Sequence, residues 1–265
     1  MALTPKDLYH RDPCAAAKAL ATRGRDYPQD DRQNIAMSKV LEIQFNPPLK
    51  ESEDYFFSSF CFCPDKRKEK PLGILCLLSE ISKTNALEKD LLLTLNKVLK
   101  REYYKFSYSD PADCFKSALA LGNNFLEKQS EYDQTFAEKI NFTAFSLRQG
   151  LAVNLAKIGK TATLLFTGKN VFDLNKSAGK ESGFFRAFSD TIEGYLENKD
   201  KILITTEGLY KTFQEQDIFR DILLSQSKKQ AKKVFQTKKE ILRNTSGACL
   251  LLFARGHTLL RPLSF

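Results

Sequence analysis

A chain of 265 residues is long enough for one large domain or two small ones, and its 42% hydrophobic content can supply a core. With 21 Phe and no Trp, much of that core is phenylalanine-packed, and 28% charged residues argue for a soluble chain and against a disordered one. No apolar stretch approaches the ~20 residues of a membrane-spanning helix, and MALTPKDLYHRD lacks the charged-then-apolar layout of a secretion signal, so a cytoplasmic location is the expectation.

Residues 1–36 are polar, and RGRDYPQDDRQN has no useful periodicity. The expectation is a partly ordered leader with one short helix around DPCAAAKALA, ahead of a single folded domain over 37–265. From Lys39 the texture changes. KVLEIQF, EDYFFSSFCFC and LGILCLLSEI are three strand candidates in close succession. Two helices follow. Residues 86–104 carry apolar side chains at helical spacing, and Asp110-Pro111 opens a second helix expected to bury Cys114, Ala118, Leu121 and Phe125.

Strands then return as INFTAFSLRQ, GLAVNLAKIG, TATLLFTGKN and NVFDLNK, punctuated by Gln149-Gly150, Gly159-Lys160 and Gly168-Lys169. In KILITTEGLY, Ile202-Leu203-Ile204 fits a buried strand, and Glu207 stands at its exit before Gly208, which offers the backbone freedom of a sharp turn. A helical stretch over 215–242 and a last strand, ACLLLFAR, complete the order. The class is α+β, with antiparallel sheets packed face to face and helices outside.

Chemistry-bearing residues are sparse. Two His, at 10 and 257, leave little for a His-based metal site or a Ser/His/Asp triad. Of the six Cys, at 14, 61, 63, 76, 114 and 249, the Cys61-Phe62-Cys63 pair would share one strand face. Its spacing matches no structural zinc site, and the thiols read as reduced and structural. The net charge of +9 is concentrated in KKQAKKVFQTKKE, where six Lys and one Glu give +5. Such a run, Lys228 to Lys239, is either the solvated face of a helix or a contact for nucleic acid or anionic lipid. Phe235 alone does not support stacking of single-stranded bases.

Element order and punctuation together resemble the PPM family of metal-dependent serine/threonine phosphatases (the type-2C fold) over roughly residues 39–255. FSDTIEGYLENKDKILITTEGLY carries the strongest likeness through Phe188, Gly194, Leu196, Asp200, Thr206, Gly208 and Leu209. Glu53-Asp54 looks like the family's early carboxylate pair, LGILCLLSEIS like its Asp-Gly strand, and LAVNLAKIGKTATLLF like its central Gly-Asp-Ser hairpin. LRNTSGACLLLF resembles its closing strand. The resemblance implies an αββα sandwich of two antiparallel sheets flanked by helices, with loop carboxylates holding two Mg²⁺ or Mn²⁺ ions that activate water against a phosphoester.

Carried over residue by residue, the ligand set is incomplete. Asp54 is the better candidate of the early pair. The Asp-Gly position falls on Ser79, or on Glu80 if the register slides by one. Lys160 replaces the hairpin acid. Glu207 keeps its charge but adds a methylene, moving its oxygens about 1.5 Å. The closing Asp falls on Arg243, or on Asn244 one place on.

Each survivor also has a plain reading: Glu53 and Asp54 as the start of a strand, Glu207 as a structural cap. The implied reading is a pseudophosphatase with a vestigial site at Asp54, Glu207, Glu53 and Glu80. It would need no cofactor and would bind a protein partner, a phosphoprotein among the candidates. The alternative is a divergent Mn²⁺- or Mg²⁺-dependent phosphatase whose Lys160 or Arg243 contacts phosphate.

Overall fold

The computed structural model describes residues 9–10, 39–46, 55–64, 66–105, 110–130, 135–174, 188 and 191–255. The strands are β1 (Tyr9–His10), β2 (Lys39–Phe45), β3 (Tyr55–Phe62), β4 (Ile74–Ser82), β5 (Ile140–Leu147), β6 (Ala152–Ile158), β7 (Ala162–Thr167), β8 (Asn170–Asp173), β9 (Thr191–Tyr195), β10 (Lys201–Thr205) and β11 (Gly247–Phe253). One antiparallel sheet runs β3-β4-β5-β6-β9. The other runs β8-β7-β10-β11-β2, to which β1 adds a short parallel edge beside β8.

Period-two alternation decides what each strand buries. In β4, Cys76 and Leu78 face the second sheet and, with Phe145 and Leu155 of their own sheet, share a core with Leu165, Ile202, Ile204, Leu250 and Leu252. The intervening Leu75, Leu77 and Ile81 face outward beneath helices α1 (Ala86–Tyr103) and α2 (Pro111–Ser130). On the far side Leu203 and Leu251 pack under Phe213, Phe219 and Phe235 of α4 (Glu207–Glu215), α5 (Ile218–Leu224) and α6 (Lys228–Thr237). Strands covered on both faces read as nearly continuous apolar runs, which is why KILIT and GACLLLF are buried throughout. The result is the αββα sandwich. Among the described residues, no helix is long and apolar enough to cross a membrane.

Local chemistry sets the element ends. Asn85 caps α1: its side chain accepts from the Glu88 N–H at 2.9 Å, while the Glu88 carboxylate accepts from the Asn85 N–H at 2.8 Å. The other Glu88 oxygen accepts from Lys139 Nζ at 2.8 Å. That bond ties α1 to the short α3 (Phe136–Lys139) and so fixes where β5 begins.

Several sequence expectations change. Helix α2 buries Cys114 and Ala118 as expected, but with Phe115, Leu119 and Leu126; Leu121 and Phe125 are only half-buried. These residues share one apolar cluster with Leu92, Leu95 and Leu99 of α1. The helical stretch expected over 215–242 starts earlier, at Glu207, and is broken three times. Asp217, at φ 54°, interrupts it, and Ser227 opens α6 by accepting from the Gln230 N–H at 3.3 Å. A four-residue α7 (Lys239–Leu242) follows. Gly208 lies inside α4 and makes no turn; extended Thr206, at ψ 156°, redirects the chain. The short helix expected near DPCAAAKALA lies outside the described residues.

Candidate functional site

A cleft of about 450 Å³ opens at one end of the sandwich. Its walls come from six places: Tyr55 at the start of β3, Glu80 and Ser82 at the end of β4, Lys139 and Asn141 where α3 meets β5, Lys160 in the β6–β7 turn, Glu207 and Lys211 of α4, and Ser246 just before β11. Sheet alternation places Glu80. It continues the inward stripe of Cys76 and Leu78, whereas Ser79 faces the helices, its hydroxyl 2.7 Å from that of Ser58 and within reach of Asn96 on α1. The cleft therefore receives Glu80 and not Ser79.

Glu80 is almost fully buried and serves three donors from three elements. Tyr55 Oη donates to Oε2 at 2.5 Å, Asn141 Nδ2 donates to Oε1 at 3.0 Å, and the backbone N–H of Glu207 donates to Oε1 at 3.3 Å. The last contact has a clear cause. Thr206, the N-cap of α4, makes no side-chain cap bond, so the first N–H of the helix takes the carboxylate of the opposite sheet. Burial pushes the Glu80 carboxyl above its ordinary range; the three hydrogen bonds pull it down, and nearby Glu207 adds to the rise. Burial and the Glu80 charge likewise push the Tyr55 phenol up, so it remains a donor at neutral pH.

Asn141 has a second role. Its Oδ1 accepts from the Lys160 N–H at 2.8 Å, which anchors the β6–β7 turn beside Glu80. Gly159 is required there: at φ +69°, a Cβ would strike the Asn141 side chain. Lys160 itself is exposed at the mouth of the cleft.

Glu207 heads α4, and its carboxylate accepts from Lys211 Nζ at 2.7 Å, an i,i+4 ion pair. Its main chain, not its carboxylate, reaches Glu80. Arg243 caps α7 with its side chain 77% exposed, 4.0 Å from Glu240, and does not line the cleft. Asn244 is likewise exposed. Glu53 and Asp54 lie outside the described residues. The structure thus brings Glu80, Glu207 and Lys160 together and leaves Ser79 and Arg243 elsewhere.

Tyr55, Asn141, Lys139 and Lys211 escaped the sequence reading. Asn141 is the direct cross-strand partner of Glu80. That register is set only once β4 and β5 pair, so no local signal marks it.

The described acids of the cleft, Glu80, Glu138 and Glu207, are matched in number by Lys139, Lys160 and Lys211. Among the described residues, no three His, Cys, Asp or Glu side chains are placed to hold one metal ion. What the arrangement does chemically is hold one buried carboxylate in a hydrogen-bonded junction between two sheets and a helix terminus.

This two-sheet, four-layer architecture is the fold of the PPM-type metal-dependent serine/threonine phosphatases. Among solved structures, the chain matches the Streptococcus agalactiae serine/threonine phosphatase with a TM-score of 0.59 at 11% identity, covering 83% of this chain and 100% of that one. It matches the catalytic domain of PstP, solved with two manganese ions, at 0.56 and 10% identity, over 83% and 99% of the two chains. For RsbX, solved with magnesium, the figures are 0.55 and 14%, over 84% and 98%. At such identities the likeness establishes the fold. No protein-family model matches the sequence, and no curated protein matches it either.

Proposed function

We propose that this chain is a non-catalytic relative of the PPM phosphatases, a binding or regulatory module that keeps the sandwich and has exchanged its metal chemistry for internal hydrogen bonds. The observation that carries the reading is the state of Glu80. The family resemblance implies loop carboxylates around two cations at this end of the sandwich, and PstP was solved with two manganese ions. Here the inward carboxylate of β4 already accepts from Tyr55, Asn141 and the Glu207 N–H.

Among the described residues, the donor set does not fit two hard divalent ions. Such ions need several oxygen ligands in near-ideal geometry and give up water reluctantly. Glu80 and Glu207 are each committed to protein donors, and three ammonium groups share the cleft with three carboxylates. A second region supports the binding role. Between α5 and α6 a groove of about 350 Å³ is lined by Leu224, Val234, Lys233 and Lys238, the last 3.6 Å from the Asp221 carboxylate of the same groove. Leu224 is 66% exposed, and the neighbouring Lys228, Lys229, Lys232 and Lys233 all face solvent. An exposed leucine beside four exposed lysines suits an acidic protein surface better than a bare phosphate backbone.

Calorimetric titration with Mn²⁺, paired with a phosphatase assay on a generic phosphoester, tests the proposal. The expected result is no saturable Mn²⁺ heat up to millimolar concentration and no metal-dependent turnover. Turnover that requires Mn²⁺ and disappears in Asp54→Ala would establish the competing reading. In that case Asp54, Glu80 and Glu207 hold the metal and Lys160 contacts phosphate.

A further inference from the structure

Three of the described thiols converge at the end of β3 remote from the cleft. Cys61 of β3 and Cys76 of β4 are directly opposed residues of an antiparallel pair. Both face the inter-sheet core, and the Cys76 thiol donates to Cys61 Sγ across 3.7 Å. Cys76 is buried, Cys61 half-buried, and Cys63 exposed two residues along. Directly opposed antiparallel residues have Cα atoms about 4.5–5.5 Å apart, inside the range of about 4.4–6.8 Å that disulfides span. Side-chain rotation alone can then bring the sulfurs to bonding distance, with both strands left in register.

The two thiols are chemically unequal. The hydrogen bond from Cys76 draws the Cys61 thiol below its ordinary value, outweighing burial; a hydrogen bond with Cys63 acts the same way, while the Glu42 carboxylate opposes and the Lys228 ammonium assists. Cys76, which donates that bond from a fully buried position, is pushed up. Cys61 is thus the half-exposed, thiolate-prone member, and Cys76 is its shielded neighbour.

We propose that Cys61 and Cys76 form an oxidation site, at which a hydroperoxide such as hydrogen peroxide converts the pair to a cross-strand disulfide. The Cys61 sulfur attacks the peroxide O–O bond, giving a sulfenic acid; the second oxygen leaves as water with the thiol proton. Cys76 sulfur then attacks Cys61 Sγ. The S–S bond forms, the S–O bond breaks, and the hydroxyl departs as water carrying the Cys76 proton. Two thiols and one peroxide give one disulfide and two waters, with the sulfurs losing two electrons in total.

The site is independent of the cleft reading. Tyr55 and Cys61 lie six positions apart along β3, a span of about 20 Å.

Brief treatment of the full chain with a small excess of hydrogen peroxide, alkylation, and non-reducing peptide mapping test the proposal. Trypsin cuts at Lys66, Arg67 and Lys68, between the two cysteines. The expected product is the Cys61 peptide joined to the Cys76 peptide, with two hydrogens lost per chain and the link reversed by dithiothreitol. Cys63→Ser, at an exposed position, should give the same link. Cys61→Ser should leave Cys76 reduced. A Cys61–Cys63 disulfide, a sulfinic acid on Cys61 without a link, or oxidation confined to Cys63 would each overturn the proposal.

Discussion

Replacing Asn141 by aspartate exchanges one nitrogen for one oxygen and leaves shape unchanged, so it isolates the junction at Glu80. Asn141 Nδ2 donates to Glu80 Oε1 at 3.0 Å; in the variant that donor becomes an anionic oxygen facing an anion. Two unit charges about 3–4 Å apart repel by about 4–6 kcal/mol at an effective dielectric of about 20. The lost charge-assisted bond adds about 1.5–3 kcal/mol. Side-chain rotation and uptake of a proton relieve part of this, leaving a net loss of about 3–5 kcal/mol at pH 8, or a Tm lower by roughly 6–20 °C.

The sign with pH is definite. A carboxyl pair whose folded-state affinity for protons is raised is at no disadvantage below the unfolded carboxylate range, about pH 4. The penalty then grows as pH rises through the folded values. Urea denaturation of parent and Asn141→Asp at pH 4, 6 and 8 checks it. The Lys160 N–H keeps its acceptor in the variant, so the β6–β7 turn is not a confounder. A deficit that is the same at all three pH values, or a Tm within about 2 °C of the parent at pH 8, would refute the claim that Asn141 sustains the Glu80 carboxylate.

Lys201 offers a second test. Its buried Nζ donates to the carbonyls of Ile222, Leu223 and Ser225 at 3.0, 2.7 and 2.8 Å, which closes the C-terminal turn of α5. Lys201→Met strands those carbonyls and should cost about 3 kcal/mol in denaturant titration, since relief of ammonium desolvation offsets part of three charge-assisted bonds. Burial lowers the Lys201 ammonium to about 8. The unfolded chain therefore binds more protons between pH 8 and about 10, and the variant's deficit should widen over that interval. A deficit that narrows there would contradict the assignment. Gly73→Ala should be the most damaging single methyl: Gly73 sits at φ 75° and ψ −157°, and a Cβ would meet the backbone of Leu147 and Arg148. A loss above about 3 kcal/mol or failure to accumulate is expected, and a variant with near-parental Tm would refute it.

The elements with strong periodic patterns were legible in the sequence. KVLEIQF, LGILCLLSEI and ACLLLFAR became β2, β4 and β11, and the apolar spacing over 86–104 became α1. Helix faces and breaks were less so. The buried side of α2 depends on how it lies against α1, and the interruption at Asp217 is a left-handed residue that no apolar pattern announces. The order of strands and the flanking glycines carried the family resemblance, which the fold bears out even though identity to the matched structures is only 10–14%.

The sequence by itself determined that this chain forms a four-layer sandwich, because alternation and helical spacing are written in neighbouring residues and act through burial alone. Tertiary structure decided which residues meet. A one-residue slip of β4 would exchange Ser79 for Glu80 at the cleft and turn Cys76 away from Cys61. Only the paired registers, Glu80 beside Asn141 and Cys61 beside Cys76, fix the chemistry at the two ends. Packing of the buried stripes across paired strands and the connections that join them select those registers, so the contacts they create cannot be read from any one segment.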